Sequence, residues 1–105
     1  MADPLTLAIL RHLDQARREN PYAPALPERF FVEALCPLAA LPAGTVRPGA
    51  VVEERRTLEG ALSALGESGA AAYTDGGYRL TRFGVIALAG AEAEERDRFR
   101  RRGES

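Results

Sequence analysis

This chain has no lysine, no tryptophan, one histidine, one cysteine and no long apolar run, and each shortage closes off a class of function. No stretch approaches the roughly 18–20 apolar residues that a membrane span needs, so no transmembrane helix is expected. The opening Met1-Ala2-Asp3-Pro4 lacks the positive flank and apolar core of a signal peptide, and a cytoplasmic location is the expectation. Cys36 has no second cysteine to pair with. Placed among apolar residues beside Pro37, it reads as a small buried hydrophobe with nothing near it to stabilise a thiolate. His12 and Cys36 cannot make a zinc site in a single chain. Phosphate-loop and dinucleotide fingerprints are missing. Gly66-Glu67-Ser68-Gly69 lacks the spacing of a nucleophile elbow, and Asp75-Gly76-Gly77 lacks the ligand series of a calcium loop. No enzyme, cofactor or metal site is expected.

All fourteen cations are arginine, which suits bidentate phosphate contacts better than lysine does. Acids offset them in each stretch of the chain. Residues 1–41 carry four Arg against five acids, 42–81 four against five, and 82–105 six against five, for a net charge of −1. No segment is a basic block, which argues against strong non-specific binding to DNA. A length of 105 residues suits one domain, expected over 1–102 with 103–105 fraying.

The helical period predicts a first helix from Pro4 to Glu19, with Asp3 as its cap and Leu5, Ile9, Leu13 and Ala16 on its inner face. His12 borders that face and reads as a helix-flank or core residue. Three prolines between Pro21 and Pro27 predict an extended connector. Glu28 to Leu35 is a second helix, where adjacent Phe30 and Phe31 must face different ways. A short turn over Leu38–Leu41 follows. Gly44-Thr45-Val46-Arg47 reads as a short strand.

From Ala50 to Leu65, Leu58, Ala61, Leu62 and Leu65 fall at helical spacing, and Val51 continues the stripe backwards. One long helix is the favoured reading; the alternative is a tight turn near Glu53–Arg56. Gly66 and Gly69 bracket its end. Asp75-Gly76-Gly77 between Ala71–Thr74 and Tyr78–Thr81 predicts a β-hairpin, with Thr81 capping a last helix over 82–102. In that helix Phe83, Ile86, Ala87 and Gly90 share a side, and Glu92–Arg96, Glu94–Arg98 and Asp97–Arg101 are acid-before-base pairs.

Two motifs in this order, Thr57 to Gly69 and Gly77-Tyr78-Arg79-Leu80-Thr81-Arg82-Phe83-Gly84, resemble the recognition helix and wing ending of winged helix-turn-helix regulators of the PadR and MarR type. The resemblance implies a mainly α fold with four to five helices and a two- or three-stranded wing. It implies a DNA-binding transcriptional regulator whose nucleic-acid contacts come from Arg47, Arg55, Arg56, Arg79 and Arg82. It also implies pairing of two copies through the last helix. The chain departs from the pattern in an acidic wing tip, in Glu53, Glu54 and Glu59 beside the two arginines, and in a glutamate at 59 where a tyrosine is common. These departures support a second expectation, a winged-helix module that binds protein.

Overall fold

The computed structural model describes residues 3–22 and 25–104, so expectations for the signal region, for Ala23-Pro24 and for Ser105 lie outside the described residues. Four α-helices and one hairpin follow in the order α1 (Pro4–Glu19), α2 (Glu28–Leu35), α3 (Pro48–Ser68), β1 (Ala71–Thr74), β2 (Gly77–Leu80) and α4 (Arg82–Glu104), with a 3₁₀ turn at Pro37–Ala40 after α2. The fold is mainly α. Among the described residues no helix is long and apolar enough to cross a membrane.

One core joins all four helices. Leu7, Ile9, Leu10 and Leu13 of α1 meet Phe31 of α2, Leu58, Leu62 and Leu65 of α3, and Leu88 of α4. Phe31 is wholly buried, while half-buried Phe30 lies edge-on to His12 with ring centroids 5.5 Å apart. Asp3 caps α1 through its backbone carbonyl, which accepts the Leu7 N–H at 2.9 Å; its side chain makes no capping bond.

The long helix is one piece of 21 residues, and nothing breaks it near Glu53–Arg56. Glu54 on its inner flank accepts the Leu38 N–H at 3.1 Å, which ties the 3₁₀ turn to α3 and occupies that carboxylate. Gly69, at φ 84°, ends the helix in the left-handed region where glycine has no Cβ to clash. The stretch between α2 and α3 thus runs to twelve residues, far beyond a three- or four-residue helix-turn-helix turn.

The hairpin turns on Asp75 (φ 51°) and Gly76 (φ 78°), the two positive values of a type I′ turn. Ala71 pairs with Leu80 and Tyr73 with Tyr78, so these four share a face. Ala71 is buried, whereas Tyr73 overhangs the sheet at 65% exposure with its ring on Tyr78. The expected strand at 44–47 does not form, because Gly44 sits at φ 88° and its neighbours turn into α3. Leu26 takes that place, exchanging backbone bonds of 3.0 and 2.8 Å with Tyr78. Gly77 permits it, since a Cβ there would lie 2.7–2.8 Å from the backbone of Ala25 and Leu26.

The joint between α3 and α4 explains the Leu-Thr-x-x-Gly pattern. The Thr81 hydroxyl accepts the Gly84 N–H at 3.0 Å and donates to the Gly69 carbonyl, while the Thr81 N–H bonds the Ala70 carbonyl at 3.1 Å. A Cβ on Gly84 would stand 2.0 Å from that same Ala70 oxygen, so only glycine lets the start of α4 close on the end of α3.

Helix α4 packs on the core through Leu88 and Ala91, with Gly84 closed on Ala70 and Leu80, and Phe83 and Ile86 stay exposed. It continues through Gly103 to Glu104, past the expected end at 102. From Ala93 to Gly103 every residue is exposed. The radius of gyration, 15.4 Å, exceeds the roughly 13 Å of a compact chain of this length, as a projecting helix requires.

Candidate nucleic-acid interface

Helix α3 is held by one face only. Leu58, Leu62 and Leu65 point inward, and the opposite side carries Val52, Glu53, Arg56, Gly60, Ser63, Ala64 and Glu67, all exposed. Arg56 lies on that outer side with Gly60 and Glu67, two residues and about 200° from Leu58. Its neighbours at the helix start are Arg47, Gly49, Ala50, Val52 and Glu53, which line one open depression with it. Residues nine positions apart thus come together because the α3 N-terminus brings Arg47, its N-cap, alongside the first turns.

The other three candidate residues lie apart from that pair. Arg55 is drawn along the helix to Glu59, with its Nε 3.5 Å from the carboxylate, an exposed pair of the kind that contributes about 0–1 kcal/mol. Arg79, on the hairpin face away from Tyr78, lines a cavity of about 110 Å³ between the end of α1 and β2, together with Arg17 and Asn20. Arg82 begins α4 and is exposed. Among the described residues, Arg47, Arg56, Arg79 and Arg82 form no ion pair within 4 Å. Four of the five candidates thus keep their charge available, but only Arg47 and Arg56 share one depression.

Elsewhere arginines are engaged. Asp14, almost buried, takes Arg17 at 2.8 Å and Arg18 at 2.9 Å. Arg11 of α1 bridges Glu92 at 3.4 Å and Glu95 at 3.1 Å, so Glu92 turns to α1 and away from Arg96. Of the acid-before-base pairs on α4, Asp97–Arg101 closes at 3.5 Å.

Two titratable groups are displaced. Burial pushes the Cys36 thiol up from its ordinary 9.0, and the Glu54 carboxylate adds to the effect. Burial likewise raises Tyr78, with Glu28 contributing. Both shifts favour the neutral form. Among the described residues no group of three or more His, Cys, Asp or Glu side chains is placed to hold a metal ion. Comparison of the chain with models of known families, with curated proteins and with solved structures returns no match.

Proposed function

We propose that this chain is a DNA-binding transcriptional regulator of winged-helix type, with α3 as the groove-entering helix and the hairpin as its wing. The observation that supports it is the open face of α3. A helix about 10–12 Å across must fit a major groove about 12 Å wide, so bulk on its leading side keeps the backbone out. Here the middle of that side holds Gly60, Ser63 and Ala64, between Val52 and Glu53 at one end and Glu67 at the other. Arg56 and Arg47 share the depression at the N-terminal end. Arg56 is the reader of a base edge and Arg47 the contact to phosphate. Arg55 serves the flank beside Glu59, and Arg79 and Arg82 the backbone beyond the wing.

The test is an anisotropy titration against a genomic fragment pool at low ionic strength. Arg56→Ala should cost on the order of 1–3 kcal/mol at a selected fragment and relax its sequence preference. Arg47→Ala should weaken all fragments alike and lower the salt slope by about one. A wild type that selects no fragment ends this reading.

The second reading, a winged-helix module that binds protein, is favoured by the acids. Glu53, Glu59 and Glu67 stand exposed on α3 and Asp75 at the wing tip, where phosphates would repel them. Pairing of two copies fits either reading. Phe83, Ile86, Gly90 and Ala93 recur at spacings of three and four on the exposed side of α4, a stripe with the period of a two-helix seam. Sedimentation at micromolar concentration checks this: a dimer that Ile86→Glu dissociates is expected, and a monomeric wild type excludes it.

A further inference from the structure

The charge of this molecule is divided, and the division falls within α4. Residues 96–102 hold five arginines and one aspartate, a local net of +4, so the rest of the chain carries −5 of the overall −1. Summed over the whole C-terminal segment the excess disappears, because the same helix contains Glu92, Glu94 and Glu95 just before. Two of those acids are turned to the domain, where Arg11 bridges them. Beyond them every described residue to Gly103 is exposed, and among the described residues Arg96, Arg98 and Arg100 form no ion pair within 4 Å. A basic arm therefore projects from an acidic body.

We infer that this distal part of α4 is a second nucleic-acid contact, an arm that lies in a groove of duplex DNA and supplies most of the phosphate contacts that α3 lacks. The inference rests on the DNA reading above. The arrangement of the cations chooses the partner. At about 100° per residue, Arg100 lies near Arg96, while Arg98 and Arg101 fall about 140–200° away, on the other side of the helix. A helix lying in a groove has a phosphate row on each side and needs cations on both. An anionic bilayer, by contrast, is met by a helix with one broad apolar face, and here only Phe99, 80% exposed, is large and apolar. Phe99 occupies the sector next to Arg96, where it can meet an apolar base edge such as a thymine methyl. Distance is no obstacle. The longest extent of the molecule is 44 Å, whereas a duplex of about 20 base pairs is about 68 Å long, so one duplex can span arm and α3.

The experiment measures binding of a labelled duplex of arbitrary sequence over a salt series from about 0.05 to 0.2 M. It compares wild type, a triple Arg96→Gln, Arg98→Gln, Arg100→Gln variant, the matching triple lysine variant, and the double Arg47→Ala, Arg56→Ala variant. All the substituted side chains are exposed, and circular dichroism checks that helix content is kept. The glutamine triple should weaken binding at low salt by about tenfold or more. It should also reduce the salt slope by about 2–3, since each phosphate left without its arginine keeps its counterion. The lysine triple should keep the wild-type slope, because counterion release follows charge. If the glutamine triple binds like wild type while the double variant loses binding, the arm is overturned and the DNA reading survives. If wild type binds no duplex, both fall, and binding to phosphatidylserine vesicles in its place would assign the arm to membranes.

Discussion

Helices α3 and α4 are nearly equal in length, 21 and 23 residues, yet they are held in opposite ways. Along α3 the buried Leu58, Leu62 and Leu65 hold the second half to its last turn. Half-buried Val51 and Glu54, which accepts the Leu38 N–H, hold the first half, so only the outer face is left open. Helix α4 is packed over its first ten residues, by Gly84, Leu88 and Ala91, is tethered by Arg11 at Glu92 and Glu95, and then leaves the body. A helix anchored along its length presents side chains at set positions, which is what reading bases requires. A helix anchored at one end can only offer charge over a range of positions, which suits contacts to a uniform backbone. The two helices share a joint, Thr81 with Gly84, and divide the surface chemistry: mixed charge on α3, concentrated positive charge on distal α4.

The strongest challenge to this contrast is a core truncation on each helix. Leu62→Ala removes a fully buried side chain of α3 and should destabilise by about 2–5 kcal/mol in urea unfolding. Phe99→Ala on the exposed arm should change stability by no more than about 0.5 kcal/mol. A comparable loss at Phe99 would mean that the arm packs against something and does not project. Next in size is Gly84→Ala. Its new Cβ meets the Ala70 carbonyl backbone, so the joint must open, at a cost of about 1–3 kcal/mol. The same substitution at Gly90, where nothing lies within 4 Å, should be neutral or slightly stabilising for the monomer.

A smaller effect separates the two halves of α4. Arg11→Ala removes both bridges to Glu92 and Glu95, exposed pairs contributing about 0–1 kcal/mol each. Global stability should scarcely move, but amide exchange in residues 92–96 should speed up while exchange in α3 stays unchanged. Equal acceleration in both helices would deny that α4 is separately tethered. The smallest effect is alkaline. The Cys36 thiol, raised by burial, stays protonated in the folded chain at a pH where the unfolded thiol has begun to ionise. The folded state then binds more protons, so stability falls as pH rises above the ordinary value of 9.0. Cys36→Ala should flatten that fall, leaving the part due to Tyr78, which begins near 10.0. A steeper fall in the variant would contradict the assigned burial.

Much of this fold was legible from local pattern. Helix α1 follows from its stripe and the Pro21 stop, α3 from leucines at helical spacing, and the hairpin from Asp75-Gly76, because each is decided by neighbours in the chain. What depends on distant residues was not legible. Gly44–Arg47 reads as a strand, yet Leu26 holds the edge of β2, through the missing Cβ of Gly77, a fact of three-dimensional approach. Phe83 and Ile86 share a side with Ala87 and Gly90 in the sequence, but local pattern does not say whether α1 or a second copy meets that side; α1 meets the other side of α4, at Leu88. Among the candidate arginines, the spacing of Arg47 and Arg56 did not announce their shared depression, nor did anything separate Arg79 from them. The Arg-rich end of α4 is visible in the sequence but reads more simply as a solvated helix end than as a nucleic-acid tail. Its acids and bases offset one another in a segment sum, and only the bridge from Arg11 tells which acids face the domain.

The claim at the centre of this account is that α3 reads duplex sequence through Arg56. Enrichment from a random duplex pool at low ionic strength tests it most directly, run in parallel with wild type and with the Arg55→Ala, Arg56→Ala variant. The account predicts that wild type enriches a defined site and that the variant, still folded, enriches none or one with a base position relaxed. A pool left unenriched by wild type, or the same site recovered undiminished by the variant, would contradict it.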